Sequence, residues 1–239
     1  MRVMVITPTT GKDTVFKAME SVRDQTVKTE HLVVFDGQEA RDKFPLAFID
    51  GHTFLTLPEN VGGNGWYGHR VYAAMPLMVN ADYILFLDED NWLDPNHIES
   101  LMEVINQGNQ WAFSLRKIMD KDGNYVCNDD CESLGKWPSC LSDQDYFVDV
   151  GCYFLPKNIA LQCTPLWYRK AREPGVPEVD RMLSHVLRQN RLTCDTNGEY
   201  TLNYRTGNTG LSVQKEFFLQ GNEKMMNKYN GKLPWKKTS

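Results

Sequence analysis

The chain has 239 residues, and its 26 lysine and arginine residues against 31 aspartate and glutamate residues give a net charge of −5. This balance argues against nucleic acid as the main partner, because binding a phosphate backbone usually requires a basic face. The sequence contains no apolar run of about 18 residues, the length a membrane span needs. The first predicted strand begins at Val3 and leaves no room for a signal peptide, so a cytoplasmic location is expected.

The first half of the sequence predicts strands that each end in polar or glycine residues. Strand Val3 to Ile6 runs into a Pro-Thr-Thr turn and a helix, whose apolar face is Val15, Ala18, Met19 and Val22. The following strands end at Asp36-Gly37, at the glycine-rich LPENVGGNG segment, and at the acidic run after Leu87. The carboxyl ends of strands are where an open α/β sheet places its ligand crevice, so one shared site is predicted.

The most informative motif is Asp88-Glu89-Asp90, which follows the apolar strand Tyr83 to Leu87. Side chains two residues apart in an extended segment point the same way, so Asp88 and Asp90 can converge on one divalent cation or on a ribose and a cation. This arrangement suits a metal-bound nucleotide diphosphate. The alternative is an acidic turn that caps the next helix.

The second half predicts further elements of the same single domain. A helix begins at Asp94-Pro95 and ends near Gly108, and Trp111 to Ile118 is a strand followed by a turn at residues 120–123. Residues 124–144 have no clear assignment. Phe147 to Leu155 is predicted as a strand and residues 178–190 as a helix with an apolar stripe. All six cysteines lie in this half, and their spacing favours free or buried thiols over a zinc site.

Five segments in fixed order resemble the GT-A glycosyltransferases of the family 2 type, which use nucleotide-diphosphate sugars. They are Pro8-Thr9, Ser21-Val22 with Gln25-Thr26, Asp36-Gly37, Glu59-Asn60-Val61-Gly62, and Leu87 to Leu93. The resemblance implies an α/β fold with a single GT-A, Rossmann-like domain over residues 1–213, in which a mixed central sheet is flanked by helices. Residues 1–95 would form the nucleotide-sugar half and residues 96–213 the acceptor half.

The resemblance also implies roles on the donor side. Asp36 would contact the base, and a carboxylate there can accept the imide hydrogen of uracil or the N1 hydrogen of guanine; the alternative is an Asx-turn. Asp88 and Asp90 would take the ribose and metal roles, with Asp90 the better candidate for Mn²⁺ or Mg²⁺, which prefer oxygen ligands. The further nucleotide-binding candidates are Thr9, Arg70 with His69 as its alternative, and Arg205 in a segment that would fold over the pyrophosphate.

On the acceptor side, an inverting transferase needs a base that takes the proton of the attacking hydroxyl. Asp180 matches the position of the catalytic aspartate in the family, and Glu178 is the rival. The alternative for both is a favourable interaction with the positive end of a helix dipole. Asp149 and Gly151 would lie near the acceptor, and Trp92 would stack on a sugar face unless it is a core residue.

The predicted function is therefore an inverting glycosyltransferase that moves a sugar, with a UDP-sugar favoured as donor, to a hydroxyl of a glycan or glycoconjugate. The alternative is a non-catalytic sugar-nucleotide binder on the same fold. A nucleotidylyltransferase and a dinucleotide dehydrogenase are disfavoured, because Thr9-Thr10-Gly11-Lys12 lacks their glycine-rich loops.

Residues 214–239 form a basic amphipathic tail with six lysines against two glutamates. Two predictions compete for this tail. It either reaches an anionic membrane surface or lipid-linked acceptor, or packs back on the domain as a helix with solvated lysines.

Overall fold

The computed structural model of the chain describes residues 1–45, 50–170, 178–207 and 213–237. These residues form a nine-stranded mixed sheet flanked by helices. The strands are β1 Val3–Thr9, β2 Glu30–Phe35, β3 Thr53–Thr56, β4 Tyr83–Phe86, β5 Trp92–Leu93, β6 Trp111–Met119, β7 Tyr125–Asn128, β8 Tyr153–Pro156 and β9 Cys194–Arg205. The helices are α1 Thr14–Arg23, α2 Gln38–Asp42, α3 His69–Met78, α4 His97–Asn106, α5 Lys157–Trp167, α6 Val179–Gln189 and α7 Lys215–Lys228.

One half of the sheet is parallel and the other half is mixed. Its order is β3-β2-β1-β4-β8-β6-β9-β5, with β7 paired to β6. Strands β1 to β4 run parallel to one another, whereas β8 is antiparallel to both of its neighbours, β4 and β6. The carboxyl ends of β1, β2 and β4 therefore meet at one edge, as the sequence predicted for an open α/β sheet.

Local patterns account for the helices that face this sheet. The predicted apolar face of α1 is confirmed, because Val15, Ala18, Met19 and Val22 are all buried. In α6 the predicted stripe is buried at Leu183 and Leu187 but only partly buried at Met182 and Val186.

Three predicted boundaries were wrong for identifiable reasons. Strand β1 continues past Ile6 to Thr9, because Pro8 and Thr9 of the predicted turn pair with β2. Helix α4 begins at His97, because the Asp94 carboxylate accepts hydrogen bonds from Lys117 and Asn203 instead of capping the helix. The predicted strand Phe147 to Leu155 is a strand only from Tyr153, since Asp149 accepts a hydrogen bond from the Gly151 N–H and a 3₁₀ turn forms there.

The part of the C-terminal segment that the structure describes packs on the domain. Phe218, Met225 and Trp235 belong to the same buried cluster as the sheet residues, while Leu219 and Met226 are exposed. No helix among the described residues is long and apolar enough to cross a membrane. Contact of this segment with a membrane surface stays a prediction.

We expect Phe218→Ala to lower the free energy of unfolding by about 3 to 5 kcal/mol, because a fully buried phenylalanine leaves a cavity when truncated. The neighbouring Leu219→Ala is the control, since Leu219 is 47% exposed, and it should change stability much less. Chemical denaturation of both variants measures the difference. Equal losses in the two would contradict the docking of α7 on the core.

Candidate active site

A cleft of about 490 Å³ lies at the carboxyl ends of β1, β2 and β4. Helix α6 and residues from the 129–150 region close its other side. It is lined by nine residues that the sequence analysis considered as site candidates: Thr9, Asp36, His69, Asp88, Asp90, Asp149, Glu178, Asp180 and Arg205. Arg70, Trp92 and Gly151 do not line it.

At the end of β2, Asp36 organises the glycine-rich loop. Its carboxylate accepts hydrogen bonds from the backbone N–H of Val61 at 2.6 Å and of Gly62 at 2.9 Å, and from the side chain of Asn60 at 2.9 Å. A Cβ on Gly62 would lie only 2.5 Å from the Asp36 carboxylate and 2.4 Å from the Tyr67 carbonyl. Only glycine permits this close approach, so the loop and Asp36 form one preformed wall of the cleft.

In the acidic motif, the middle residue points away from its two neighbours. Glu89 accepts hydrogen bonds from the hydroxyl of Thr9 at 2.7 Å and from the backbone N–H of Thr10 at 2.9 Å, and it pairs with Lys12. These bonds fasten the turn after β4 to the turn after β1. Glu89 is thus a structural member of the site that the sequence analysis did not single out.

Asp88 lies deep in the cleft beside Tyr72, whose hydroxyl donates a hydrogen bond to it at 2.6 Å. Burial, and then the neighbouring charge of Asp90, raise the pKa of Asp88 to about 8. The described residues hold no cluster of three or more His, Cys, Asp or Glu side chains suited to a metal. Asp88 and Asp90, of which Asp90 raises the pKa of Asp88, would nevertheless fit a divalent cation if a diphosphate and water supplied further oxygen ligands.

Arg205 holds the other side of the acidic motif. Its Nε donates to the carbonyl of Asp90 at 3.2 Å and its Nη1 to the carbonyl of Lys121 at 3.1 Å, while its backbone N–H donates to Asn91. Residues 208–212, part of the segment predicted to fold over the pyrophosphate, lie outside the described residues. The guanidinium is therefore positioned at the cleft by the ends of β9 and β4 themselves.

Asp180 lies in the first turn of α6, across the cleft from the acidic motif. Burial, and then the charge of Asp149, raise its pKa to about 7, although Arg181 acts in the opposite direction. A carboxylate with this pKa is a far better proton acceptor than an ordinary aspartate and is still partly ionised at neutral pH. Glu178 is the N-cap residue of the same helix and also lines the cleft.

Asp149 is engaged within the protein. One carboxylate oxygen pairs with the buried Arg116 and the other accepts the Gly151 N–H at 3.0 Å. Arg116 also pairs with Asp129 at 2.8 Å and with Glu132 at 2.6 Å, and Glu132 in turn pairs with Arg181. A chain of ion pairs therefore links the floor of the cleft to the residue that follows Asp180.

Arg116 is the main site residue that sequence reasoning missed. A detectable sign was present, because Arg116 is a charged residue inside the predicted apolar strand Trp111 to Ile118. A buried arginine needs carboxylate partners, yet the identity of those partners is decided by folding. Tyr72 was also missed, because nothing in the sequence around it indicates a contact with Asp88.

Of the three predicted site residues outside the cleft lining, Arg70 and Trp92 have other contacts. The guanidinium of Arg70 stacks 3.9 Å from the Trp66 ring and donates to the Val61 carbonyl, which directs it into a neighbouring groove. Trp92 carries the ammonium of Lys17 over its ring at 3.4 Å, so that face is already covered. His69, the alternative to Arg70, does line the cleft, and its Nδ1–H donates to the carbonyl of Arg169.

The fold and the site together define a GT-A type glycosyltransferase, and comparisons with known proteins agree. Residues 4–130, more than half of the chain, match the family described as Glycosyl transferase family 2. The chain belongs to this family, which confirms the resemblance seen in the sequence.

Solved structures of S. aureus TarS are similar in fold. For TarS 1-349 in complex with UDP-GlcNAc, the TM-score is 0.61 at 14% identity, over 92% of this chain and 64% of that chain. For TarS 1-349 in complex with UDP, the TM-score is 0.57 at 14% identity, over 95% and 65%. The chain thus spans just under two thirds of these structures. A comparison with curated protein sequences gave no match.

Because the pKa of Asp180 is raised, we expect the free energy of unfolding of Asp180→Asn, relative to wild type, to increase with pH. The folded state keeps the proton up to about pH 7, whereas an unfolded aspartate loses it near its usual pKa, so the wild type loses stability as pH rises across that window. The asparagine variant carries no such group. The free energy of unfolding of Asp180→Asn relative to wild type should therefore be higher at pH 8 than at pH 4.

Chemical denaturation at the two pH values measures this change. Asp143→Asn is the control, because Asp143 is exposed and its ion pair with Lys228 lowers its pKa instead. A relative stability of Asp180→Asn that does not change between the two pH values would contradict the desolvation of Asp180.

Proposed function

We propose that the chain is an inverting glycosyltransferase that transfers a sugar from a nucleotide-diphosphate sugar, with a UDP-sugar as the favoured donor, to a hydroxyl of a glycan or glycoconjugate. One observation carries the proposal. The strand-end carboxylates Asp88 and Asp90 and the desolvated Asp180 line the same cleft. The UDP and UDP-GlcNAc complexes of TarS, which shares the fold, support the choice of donor.

On the donor side, Asp36 and Thr9 would receive the nucleoside at the ends of β2 and β1. Asp90, with Asp88, would hold a Mn²⁺ or Mg²⁺ ion together with the diphosphate. When bound, the cation supplies Lewis-acid stabilisation of the charge that accumulates on the departing diphosphate. Arg205, fixed at the Asp90 carbonyl, adds a positive group beside that leaving group.

On the acceptor side, Asp180 would remove the proton from the attacking hydroxyl. The hydroxyl oxygen forms the new bond to the anomeric carbon from the face opposite the diphosphate, whose bond to that carbon breaks, and the proton passes to Asp180. The ion pairs of Arg181 with Glu132 and Asp145 hold the start of α6 against the 129–150 region. This bracing would keep Asp180 at a fixed distance from the donor, as a positioned base requires.

A non-catalytic sugar-nucleotide binder is the second candidate. It would gain support if Asp180 faced away from the cleft, but Asp180 lines the cleft with a pKa near neutrality. A donor screen separates the two functions. It measures the nucleotide diphosphate released from UDP-, GDP- and dTDP-sugars in the presence of Mn²⁺ and candidate acceptors, and a binder releases none from any of them.

We expect the affinity for UDP to depend on a divalent cation, because the acidic motif offers no positive charge to a diphosphate unless a cation binds there. Calorimetric titration of UDP should show binding with Mn²⁺ and much weaker binding with EDTA. Asp90→Asn should reduce the effect of Mn²⁺, whereas Asp143→Asn, an exposed aspartate remote from the cleft lining, should leave it intact. Equal UDP affinities with Mn²⁺ and EDTA would rule out the metal role.

We expect Asp180→Asn to lower the rate of sugar transfer by about 100-fold or more while UDP affinity is retained, because the amide keeps the shape and cannot accept the proton. In the wild type, kcat should rise with pH and level off above about 7, where Asp180 is ionised. Initial rates across pH and UDP titrations measure both effects. Retained turnover in Asp180→Asn with loss in Glu178→Gln would assign the base to Glu178.

A further inference from the structure

Two cations converge on one aromatic ring at the edge of the cleft. The ammonium of Lys17, on α1, lies 3.4 Å from the centre of the Trp92 ring, and the guanidinium carbon of Arg205 lies 5.4 Å from it. Partial desolvation of its ammonium, and then the charge of Arg205, lower the pKa of Lys17. Helix α1, strand β5 and the end of β9 thus bring two like charges together.

The turn after β6 leaves space beside these groups. Gly123 has a φ of +86°, which favours glycine. A Cβ at this position would lie 3.7 Å from Lys17 Nζ, 3.7 Å from Arg205 Nη2 and 3.6 Å from the edge of the Trp92 ring. Both cationic nitrogens therefore face the same small region, which a side chain at position 123 would fill.

Neither cation is matched by a carboxylate in the described ranges. The described ion pairs within 4 Å include Lys12 with Glu89 and Lys121 with Asp122, but none involves Lys17 or Arg205. Arg205 donates through Nε and Nη1 to backbone carbonyls, which orient the guanidinium without neutralising it. The whole chain has a net charge of −5, so two neighbouring cations without a carboxylate partner differ locally from its overall charge balance.

The positions of Lys17 and Arg205 indicate the chemistry of the ligand that these two cations would bind. Arg205 lines the cleft and is bonded to the Asp90 carbonyl, so the pair extends the cleft from the acidic motif towards α1. Arginine and lysine together are suited to phosphate oxygens, the arginine through its planar donors and the lysine as a point charge. The ring of Trp92 shields one side of the site from water, which strengthens attraction to an anion.

We propose that Lys17, Arg205 and Trp92 form a phosphate-binding site at the edge of the cleft. The inference rests on the proposed transferase function. The phosphate has two possible sources: the diphosphate of the donor, or a phosphate group carried by the acceptor. Lys17 is the new member of the site, and it is exposed, so its substitution leaves the core untouched.

The test is calorimetry on the full chain with Mg²⁺, comparing wild type, Lys17→Gln, Lys17→Arg and Lys28→Gln. Lys28→Gln is the control, since it removes the same charge from an exposed lysine outside the cleft. One arm titrates UDP, and the other titrates inorganic phosphate into protein saturated with UDP. Lys17→Gln should weaken binding by about 10-fold or more in at least one arm, as expected for loss of a charged hydrogen bond, and Lys17→Arg should restore it.

The two arms identify the source. Weaker UDP binding assigns the site to the donor diphosphate, and weaker phosphate binding with unchanged UDP binding assigns it to an acceptor phosphate. Affinities of Lys17→Gln equal to wild type in both arms, or equal losses in Lys28→Gln, overturn the proposal. If the wild type does not bind UDP, the proposed donor is wrong. The phosphate titration, run without UDP, then tests whether Lys17 binds phosphate.

Discussion

The concentration of carboxylates at one edge of the sheet is the constraint on which the rest of the structure depends. Asp88, Asp90, Asp149 and Asp180 line a single cleft, and burial together with mutual repulsion raises the pKa of Asp88 and of Asp180. Burying unpaired charge is costly, so such a cluster persists only where cations or hydrogen-bond donors compensate it. The two sides of the cleft meet this requirement differently.

On the side of the cleft that contains Asp149, ion pairs within the protein compensate the charge. Arg116 binds Asp129, Glu132 and Asp149, and its guanidinium carbon lies 4.3 Å from the centre of the Tyr204 ring. The ring of Phe218 in α7 lies 5.3 Å from the same group, so the C-terminal helix completes the apolar enclosure of this cluster. The segment that the sequence predicts as a basic tail therefore helps to exclude water from these ion pairs.

On the side of the cleft formed by β1, β2 and β4, backbone and side-chain hydrogen-bond donors are already in place, and Asp88 accepts a hydrogen bond from Tyr72. Asp36 fixes the glycine-rich loop and Glu89 fixes the turn after β1, so two of the acidic residues on this side serve the backbone. This division agrees with the proposed chemistry. A preformed loop on the proposed donor side would reduce the cost of ordering loops on binding, and the ion pairs on the proposed acceptor side would keep the proposed base in place.

The sequence by itself determined the features that depend on local order: the strand ends, the alternation that places Asp88 and Asp90 on one side, and the buried faces of α1 and α6. These follow from the periodicity of strands and helices, which a short segment already contains. The tertiary structure decided which side chains meet across the chain. Arg116 binds partners 13, 16 and 33 residues away, Arg70 turns towards Trp66, and Lys17 reaches Trp92 from another element. No local pattern specifies such contacts, because each depends on how separate elements pack, and packing also sets the burial that shifts the pKa of Asp180.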